Sequence, residues 1–254
     1  MPGLPSRSIV RYPMIEASNL GKTFGHIRAV HQVSFQVPRG QVVAFLGANG
    51  AGKSTTMRLL TGYLTADTGT AAIDGHDIVR ARHEARSAMG YLPEAAGGFP
   101  QLTIREFLTF CGESRGLWGR DLDKAMQRVV GMIDLAPVFD RKMVELSKGW
   151  RQRSWLGQAL LHDPAVLILD EPTDGLDPNQ KDNIRQLIRE VASEKAIILS
   201  THILEEAEEL SDRVIVIADG RIVADEDRAS LVDEKGRLAP AFRRLTAVTS
   251  ADNG

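Results

Sequence analysis

A glycine-rich segment followed by a lysine is the clearest chemical signal in this sequence. It reads Gly47-Ala48-Asn49-Gly50-Ala51-Gly52-Lys53-Ser54-Thr55 and fits the pattern G-x-x-x-x-G-K-[ST]. Glycines allow several backbone N–H groups to face one point, and a helix that opens near Gly52 adds its positive dipole end. Lys53 can then reach outer phosphates, Ser54 can bind Mg²⁺, and Thr55 can contact an inner phosphate. We therefore predict a phosphate-binding loop.

Two adjacent acids, Asp170 and Glu171, form a second candidate group at the end of the apolar run 166–169. The carboxyl ends of buried parallel strands are where open α/β sheets bind ligands. We expect Asp170 to bind Mg²⁺ through water, and Glu171 to accept a proton from an attacking water molecule. The alternative is an acidic loop without chemistry, which the phosphate loop upstream disfavours.

Strand and helix patterns alternate on both sides of these residues. An apolar run of strand length precedes the phosphate loop and helical spacing follows it. Strand patterns stop between residues 103 and 161, where apolar residues recur at helical spacing and Cys111 is expected in the core. The remaining predicted strands and helices cover 27–37, 70–74, 89–92, 165–169, 179–192, 196–199, 203–210, 214–218 and 222–224. This order predicts an α/β fold with an inserted helical block.

Composition excludes several classes of protein. The 254 residues contain 31 Lys and Arg against 33 Asp and Glu, for a net charge of −2, with 43% hydrophobic and 25% charged residues. These values are typical of a globular protein and exclude a disordered chain or a strongly basic nucleic-acid binder. The single cysteine forbids an intrachain disulfide. No apolar run reaches the ~18 residues of a membrane span, and residues 1–13 are expected to be a flexible extension without a secretory signal.

Together the motifs resemble the nucleotide-binding subunit of ABC transporters, over about residues 14–224. Residues 146–153 read Leu-Ser-Lys-Gly-Trp-Arg-Gln-Arg and resemble the family's signature, which commonly begins Leu-Ser-Gly-Gly-Gln. Ser147 and Gly149 are kept, whereas Lys148 and Trp150 depart from the common form. Residues 172–178, which include Asp177, resemble the loop after the acidic pair. The remaining matches are His202 with the switch histidine, Phe24 with the residue that stacks on adenine, and Glu94 with a position that is usually Gln.

The resemblance implies a P-loop NTPase (RecA-like) α/β core with a mostly parallel sheet, an antiparallel β subdomain and an inserted α-helical subdomain at about 95–160. It implies three segments: the extension 1–13, an ATP-binding domain 14–228 and a C-terminal tail 229–254. Glu171, His202 and Lys53 would be catalytic. The ATP site would comprise Phe24 and residues 47–55, while Ser54, Glu94 and Asp170 would bind Mg²⁺.

The resemblance also implies partners. Ser147 and Gly149 would contact the γ-phosphate of ATP bound to a second, identical subunit, with Asp177 in the loop at the dimer interface. The helical insertion would dock on a separate integral membrane permease at the cytoplasmic face of the cell membrane, and no nucleic acid would bind. The Lys148-Gly-Trp signature and Glu94 are similar to exporters of the type-2 class.

Other interpretations remain open at this stage. The chain could be a soluble ABC-type ATPase of a cofactor-assembly complex or another macromolecular complex, or a phosphotransferase acting on a small molecule. Phe24 could belong to the core, and Ser147 could simply cap a helix. The acidic group Glu205, Glu206, Glu208 and Glu209 is expected to be a solvated helix face.

Overall fold

The computed structural model describes residues 13–95 and 97–251, and it describes side chains as far as residue 247. The predicted extension, apart from Pro13, lies outside these residues. The strands are β1 Pro13–Phe24, β2 Ile27–Pro38, β3 Gln41–Leu46, β4 Thr68–Ile73, β5 His76–Asp77, β6 Met89–Leu92, β7 Val166–Asp170, β8 Ala196–Thr201, β9 Arg213–Ala218 and β10 Arg221–Asp227. The α-helices are α1 Lys53–Leu60, α2 Arg82–Ser87, α3 Ile104–Ser114, α4 Gly119–Met132, α5 Lys148–Leu160, α6 Pro178–Ala192, α7 Leu204–Leu210, α8 Arg228–Leu231 and α9 Ala239–Ala251.

A central sheet carries the residues that the sequence selected for chemistry. Its strand order is β10-β9-β3-β8-β7-β6, with every neighbouring pair parallel except β10 with β9. The inner strands β7 and β8 are buried along their whole length, as their continuous apolar runs predict. In the register, Asp170 pairs with Ser200 and Leu46 pairs with Thr201. The carboxyl ends of β3, β7 and β8 therefore meet at one edge of the sheet.

A second, antiparallel sheet packs beside the central one, in the strand order β2-β1-β4-β5. Its inward side chains share one apolar cluster with α1 and with one face of the central sheet, including Ile15, Val37, Phe45 and Met57. This arrangement confirms the predicted fold class of a mostly parallel α/β core with an antiparallel β part. Apolar and polar residues alternate only loosely along β1 and β2, and the pairing of these two strands contains register shifts that interrupt the alternation.

The helices α3, α4 and α5 occupy the segment in which helical spacing was predicted, between β6 and β7. Thr103 caps α3 through a capping box with Glu106, so local sequence fixes where the helix begins. Phe107, Val129 and Leu156 are buried where the three helices meet, and their apolar cluster continues into the other face of the central sheet. The insertion is therefore anchored to the layer that carries the acidic pair.

The C-terminal segment also joins this cluster, although its sequence predicted no particular element. Leu231, Leu238 and Ala241 are buried there. The backbone N–H of Leu238 donates a hydrogen bond to Glu208 on α7. Within the described residues, no helix is both long and apolar enough to cross a membrane.

His162, just after α5, gives the fold a pH dependence that can be tested. Its Nε2 lies 3.0 Å from the carbonyl oxygen of Met89, and burial lowers its pKa from 6.5 to about 4. Between these two values the unfolded chain holds a proton on His162 and the folded chain does not. The free energy of unfolding therefore falls as pH drops through this range, by at most about 1.4 kcal/mol per pH unit.

We expect His162→Gln to remove this contribution, so that urea unfolding from pH 4 to 6.5 depends less on pH than in the wild type. The control is His83→Gln, because His83 is exposed on α2. An unchanged pH dependence in His162→Gln would show that His162 is not the group responsible.

Candidate active site

The phosphate loop connects β3 to α1 and needs glycine for steric reasons. Gly50 and Gly52 both have positive φ, at 81° and 105°. A Cβ on Gly52 would also collide with the carbonyl oxygen of Ala29, and one on Gly47 would lie 2.6 Å from the carbonyl oxygen of Ile217. The loop backbone therefore lies directly against neighbouring strands, which leaves its N–H groups arranged around the N-terminus of α1.

Lys53 is buried and its ammonium is held at the mouth of this loop. Its Nζ donates hydrogen bonds to the carbonyl oxygens of Gly47 at 3.0 Å and Ala48 at 3.2 Å. It also lies 3.3 Å from Oε1 of Glu171. The cation that the sequence assigned to phosphate binding thus faces the carboxylate that it assigned to water activation.

Three oxygens from separate elements meet beside the loop. Oγ of Ser54 lies 3.2 Å from Oδ1 of Asp170 and 3.2 Å from Oε2 of Glu94. Asp170 is fully buried, and its Oδ2 has no hydrogen-bond partner among the residues that the structure describes. Burial raises the pKa of Asp170, and the nearby charge of Glu94 raises it further. Hydroxyl and carboxylate oxygens with one buried oxygen unpaired fit a hard divalent cation such as Mg²⁺.

Glu171 lies between the ammonium group of Lys53 and the imidazole ring of His202. Its Oε2 is 2.8 Å from Nδ1 of His202, while its Oε1 faces Lys53. Its φ is 50°, a left-handed conformation that is uncommon for a residue with a side chain. The backbone N–H of Glu171 donates to Ser200, both to its carbonyl oxygen and to its Oγ. Such strained residues cluster at functional sites, where the surroundings hold them in place.

Ser200 and Thr201, at the end of β8, bind carboxylates at this edge of the sheet, and the sequence interpretation did not select them. The hydroxyl of Ser200 donates to Oδ1 of Asp170. The hydroxyl of Thr201 donates to Oε2 of Glu206 at 2.6 Å and accepts from the N–H of Ile203. The polar run Ser200-Thr201-His202 after an apolar strand was the available signal, since β7 and β8 are parallel neighbours.

The expectation that the acidic group on α7 is a solvated face was wrong for Glu206. That residue is almost fully buried, because its carboxylate turns inward to accept the Thr201 hydroxyl. Burial raises the pKa of Glu206. Glu208 binds the backbone of Leu238, Glu209 pairs with Arg185 and Arg189, and Glu205 is exposed.

A cavity of about 200 Å³ lies over the phosphate loop. The sequence-selected residues that line it are Asn49, Gly50, Gly52, Lys53, Ser54, Thr55, Glu94 and Glu171. The structure thus brings together the phosphate loop, the acidic pair and Glu94, with His202 bound to Glu171. The cavity is therefore walled by groups for binding phosphate on one side and by carboxylates on the other.

Nine of the selected residues do not line this cavity. Gly47, Ala48 and Ala51 belong to the phosphate loop itself, and Asp170 and His202 contact the lining residues Ser54 and Glu171. The other four are Phe24, Ser147, Gly149 and Asp177. Phe24 is 47% exposed, which excludes the alternative that it is a core residue. Ser147 caps α5 by accepting from the N–H of Trp150, and Asp177 caps α6 by accepting from the N–H of Gln180. Gly149 is buried in the first turn of α5, and a Cβ there would collide with the side chain of Gln180.

Comparison with known proteins places this arrangement in a family. The family model described as ABC transporter matches residues 30–174, which is more than half of the chain. The chain belongs to the ABC transporter family. A second model, described as AAA domain, putative AbiEii toxin, Type IV TA system, matches residues 142–208. As a member of the ABC transporter family, this chain is an ATP-binding and ATP-hydrolysing subunit. The membership sets aside the alternative that the chain is a phosphotransferase acting on a small molecule.

Individual relatives agree along most of the chain. The Nod factor export ATP-binding protein I of Ralstonia nicotianae is 36% identical over 253 residues, covering 96% of this chain and 79% of the relative. The uncharacterized ABC transporter ATP-binding protein YxlF of Bacillus subtilis is 36% identical, covering 82% and 69%. A solved structure titled "Structure of ATP binding subunit of ABC transporter" superposes with a TM-score of 0.83 at 27% identity, covering 91% of this ABC subunit and 99% of that chain.

The two glycines with positive φ in the phosphate loop allow a matched test of its geometry. Gly52→Ala adds both backbone strain and a collision with Ala29, whereas at Gly50 no described atom lies within 4 Å of the added Cβ. We expect Gly50→Ala to lower the free energy of unfolding by about 1 kcal/mol, and Gly52→Ala by at least about 2 kcal/mol. Urea denaturation without nucleotide measures both, and equal losses would contradict the close backbone approach at Gly52.

Proposed function

We propose that this ABC subunit drives export across a membrane by ATP-dependent closure of a dimer of two identical chains. The observation that carries the proposal is the convergence of Lys53, Ser54, Asp170, Glu171 and His202 at one edge of the central sheet. A phosphate-binding cation, oxygens for a divalent ion and a carboxylate that can take a proton are the groups that hydrolysis of ATP requires.

ATP would bind with its phosphates in the cavity over the phosphate loop. The N–H groups around Gly50 and Gly52 and the positive end of α1 would receive the phosphate oxygens, with Thr55 near an inner phosphate. Lys53 would exchange its contact with Glu171 for the outer phosphates, which frees that carboxylate for chemistry. The exposed ring of Phe24 supplies a surface on which adenine can stack.

Ser54, Asp170 and Glu94 are the residues that would hold Mg²⁺. Bound there, the ion would neutralise part of the charge on the phosphates. The Ser200 hydroxyl holds Asp170 in place, which leaves the unpaired Oδ2 of that residue available. Glu94 contributes a full negative charge where relatives in the family commonly carry a neutral amide, so this site is more anionic.

In hydrolysis, Glu171 would accept a proton from water as the water oxygen bonds to the γ-phosphorus and the bond from that phosphorus to ADP breaks. The products are ADP and inorganic phosphate, and the proton on Glu171 then passes to solvent. His202 lies 2.8 Å from Glu171 and would orient its carboxylate, while Lys53 would stabilise charge on the transferred group.

The second chain would complete the site. Ser147 and Gly149 begin α5 but do not line the cavity of their own chain. An N-terminal helix end attracts phosphate, so these residues suit the γ-phosphate of ATP held by the partner. A two-fold axis would bring each α5 to the other chain's cavity, with Asp177 in the interface loop.

Aromatic side chains on the helical insertion suit contact with a membrane permease on a separate chain. Phe99 and Phe110 are exposed although their rings contact each other, with centroids 5.3 Å apart. Phe99 also packs on the buried Phe107. Exposed apolar groups anchored on a core are typical of docking surfaces. Attachment there would hold the subunit at the cytoplasmic face of the membrane, and the similarity to a Nod factor export protein supports export.

The assigned base gives the most direct test of this mechanism. We expect Glu171→Gln to retain Mg·ATP binding, to lower the rate of phosphate release by at least ~100-fold and to accumulate an ATP-dependent dimer, because the amide cannot accept the proton. Phosphate release and size-exclusion chromatography measure these effects. Glu205→Gln is the control, since Glu205 is exposed on α7. Phosphate release from Glu171→Gln at the wild-type rate would reject the assignment.

The aromatic surface can be tested separately from ATP hydrolysis. We expect Phe110→Ser to weaken binding to stripped membranes of the source organism by about tenfold, the effect of losing one interface aromatic, while phosphate release by the purified chain is unchanged. Tyr63→Ser is the matched control, because Tyr63 is an exposed aromatic outside the insertion. Equal membrane binding by both variants would mean that this surface is not the docking site.

A further inference from the structure

Lys148, one of the two residues that depart from the common signature, makes an ion pair inside its own chain. Its Nζ donates a 2.9 Å hydrogen bond to Oδ2 of Asp174, in the loop 171–177 that follows β7. Lys148 stands between Ser147 and Gly149, the two residues proposed to contact ATP on the partner. The ion pair therefore starts at the phosphate-facing end of α5.

Asp174, the acidic partner of the pair, lies beside Glu171 and His202, the groups proposed to act in hydrolysis. The backbone N–H of Asp174 donates to the carbonyl oxygen of Glu171 at 3.2 Å. One carboxylate oxygen each of Asp174 and Glu171 and one ring nitrogen of His202 lie within 4.8 Å of one another. The hydrogen bond from Lys148 lowers the pKa of Asp174, which keeps that carboxylate charged beside His202.

At Gly175 the loop has no side chain, so the side chain of Lys148 can pass over its backbone. Gly175 has a φ of 66°, and a Cβ there would collide with Nζ of Lys148 and lie 2.9 Å from its Cε. The aliphatic stem of Lys148 thus lies flat on the backbone of Gly175 before its ammonium reaches Asp174. A side chain at position 175 would displace the lysine, so the loop sequence and Lys148 depend on each other.

A second contact fastens the same loop to α5 one turn further along. The buried side chain of Gln152 donates to the carbonyl oxygen of Pro172 at 3.2 Å. The Lys148–Asp174 pair, in contrast, is about half exposed at both side chains. Exposed ion pairs add little to stability, so stability does not explain this pair. The pair lies between the signature residues Ser147 and Gly149 and the corner formed by Glu171 and His202. This location suggests that the pair controls the position of those groups instead.

We propose that Lys148 is a positioning residue for ATP hydrolysis, which through Asp174 ties the N-terminus of α5 to Glu171 and His202 of the same chain. This rests on the proposed function, because α5 is taken to receive ATP from the partner. When Ser147 and Gly149 engage that ATP, α5 carries Asp174 with it and sets the placement of Glu171 and His202.

The test compares Lys148→Met, Lys148→Arg, Asp174→Asn and the double variant Lys148→Met with Asp174→Asn, each as the full chain with Mg·ATP. We expect Lys148→Met and Asp174→Asn to lower kcat by about fivefold, the upper end of the effect of one exposed ion pair, with KM for ATP within about twofold. The double variant should be no slower than the slower single variant, since both remove the same link. Lys148→Arg keeps the positive charge and should therefore retain the wild-type kcat.

Asp140→Asn is the matched control. It removes the exposed pair with Arg105, whose 2.7 Å contact on the helical insertion resembles the Lys148 pair in geometry. It should leave kcat and the thermal midpoint unchanged. In the Glu171→Gln background, Lys148→Met should still form the ATP-dependent dimer, because the pair is not itself a contact with the partner.

Several outcomes would overturn the proposal. Two of them concern the single variants: a wild-type kcat for Lys148→Met, or a kcat for Lys148→Arg that is as low as that of Lys148→Met. The other two are losses of kcat that multiply in the double variant, and loss of the ATP-dependent dimer when Lys148→Met is added to Glu171→Gln. Failure of the proposed function looks different, since the wild-type chain itself would then neither bind nor hydrolyse Mg·ATP. If the wild type hydrolyses ATP and Lys148→Met is unaffected, only the positioning role is rejected.

Discussion

The site depends on one carboxylate, Glu171, held between Lys53 and His202. Neither Lys53 nor His202 could face it without the parallel register that aligns the ends of β3, β7 and β8. The left-handed backbone at Glu171 turns the chain away from the strand direction of Asp170, so two adjacent acids serve different partners. Asp170 faces Ser54, and Glu171 faces Lys53. This one turn would therefore separate the proposed metal ligand Asp170 from the proposed proton acceptor Glu171.

The sequence could predict this site to the extent that its chemistry is local. A phosphate loop needs consecutive residues, and the strand before Asp170 is a continuous apolar run, so both could be read from spacing. The fold class followed from the order of strands and helices. Contacts between distant segments could not be read in this way. Glu206 looked like one of four solvated acids, because only the fold brings Thr201 above it. The sequence also did not predict that Leu238 and Ala241 pack into the core, because no clear helical spacing marks that segment.

Charge is distributed unevenly around the cavity. Glu94, Asp170 and Glu171 bring negative groups to one side, and burial together with mutual repulsion raises the pKa of Asp170. Lys53 offsets part of this charge, and the loop N–H groups add partial positive charge. A bound nucleotide would bring further negative charge, which the proposed Mg²⁺ would offset. The proposed nucleotide and cation sites would therefore act as one electrostatic unit.

Calorimetric titration of the wild-type chain with ATP, in the presence and absence of Mg²⁺, tests this account most directly. The account predicts saturable binding of one nucleotide per chain, with an affinity that falls markedly when Mg²⁺ is chelated. Absence of binding under both conditions would contradict the assignment of the cavity to ATP. Equal affinity with and without Mg²⁺ would contradict the claim that Ser54, Asp170 and Glu94 act with the phosphate loop.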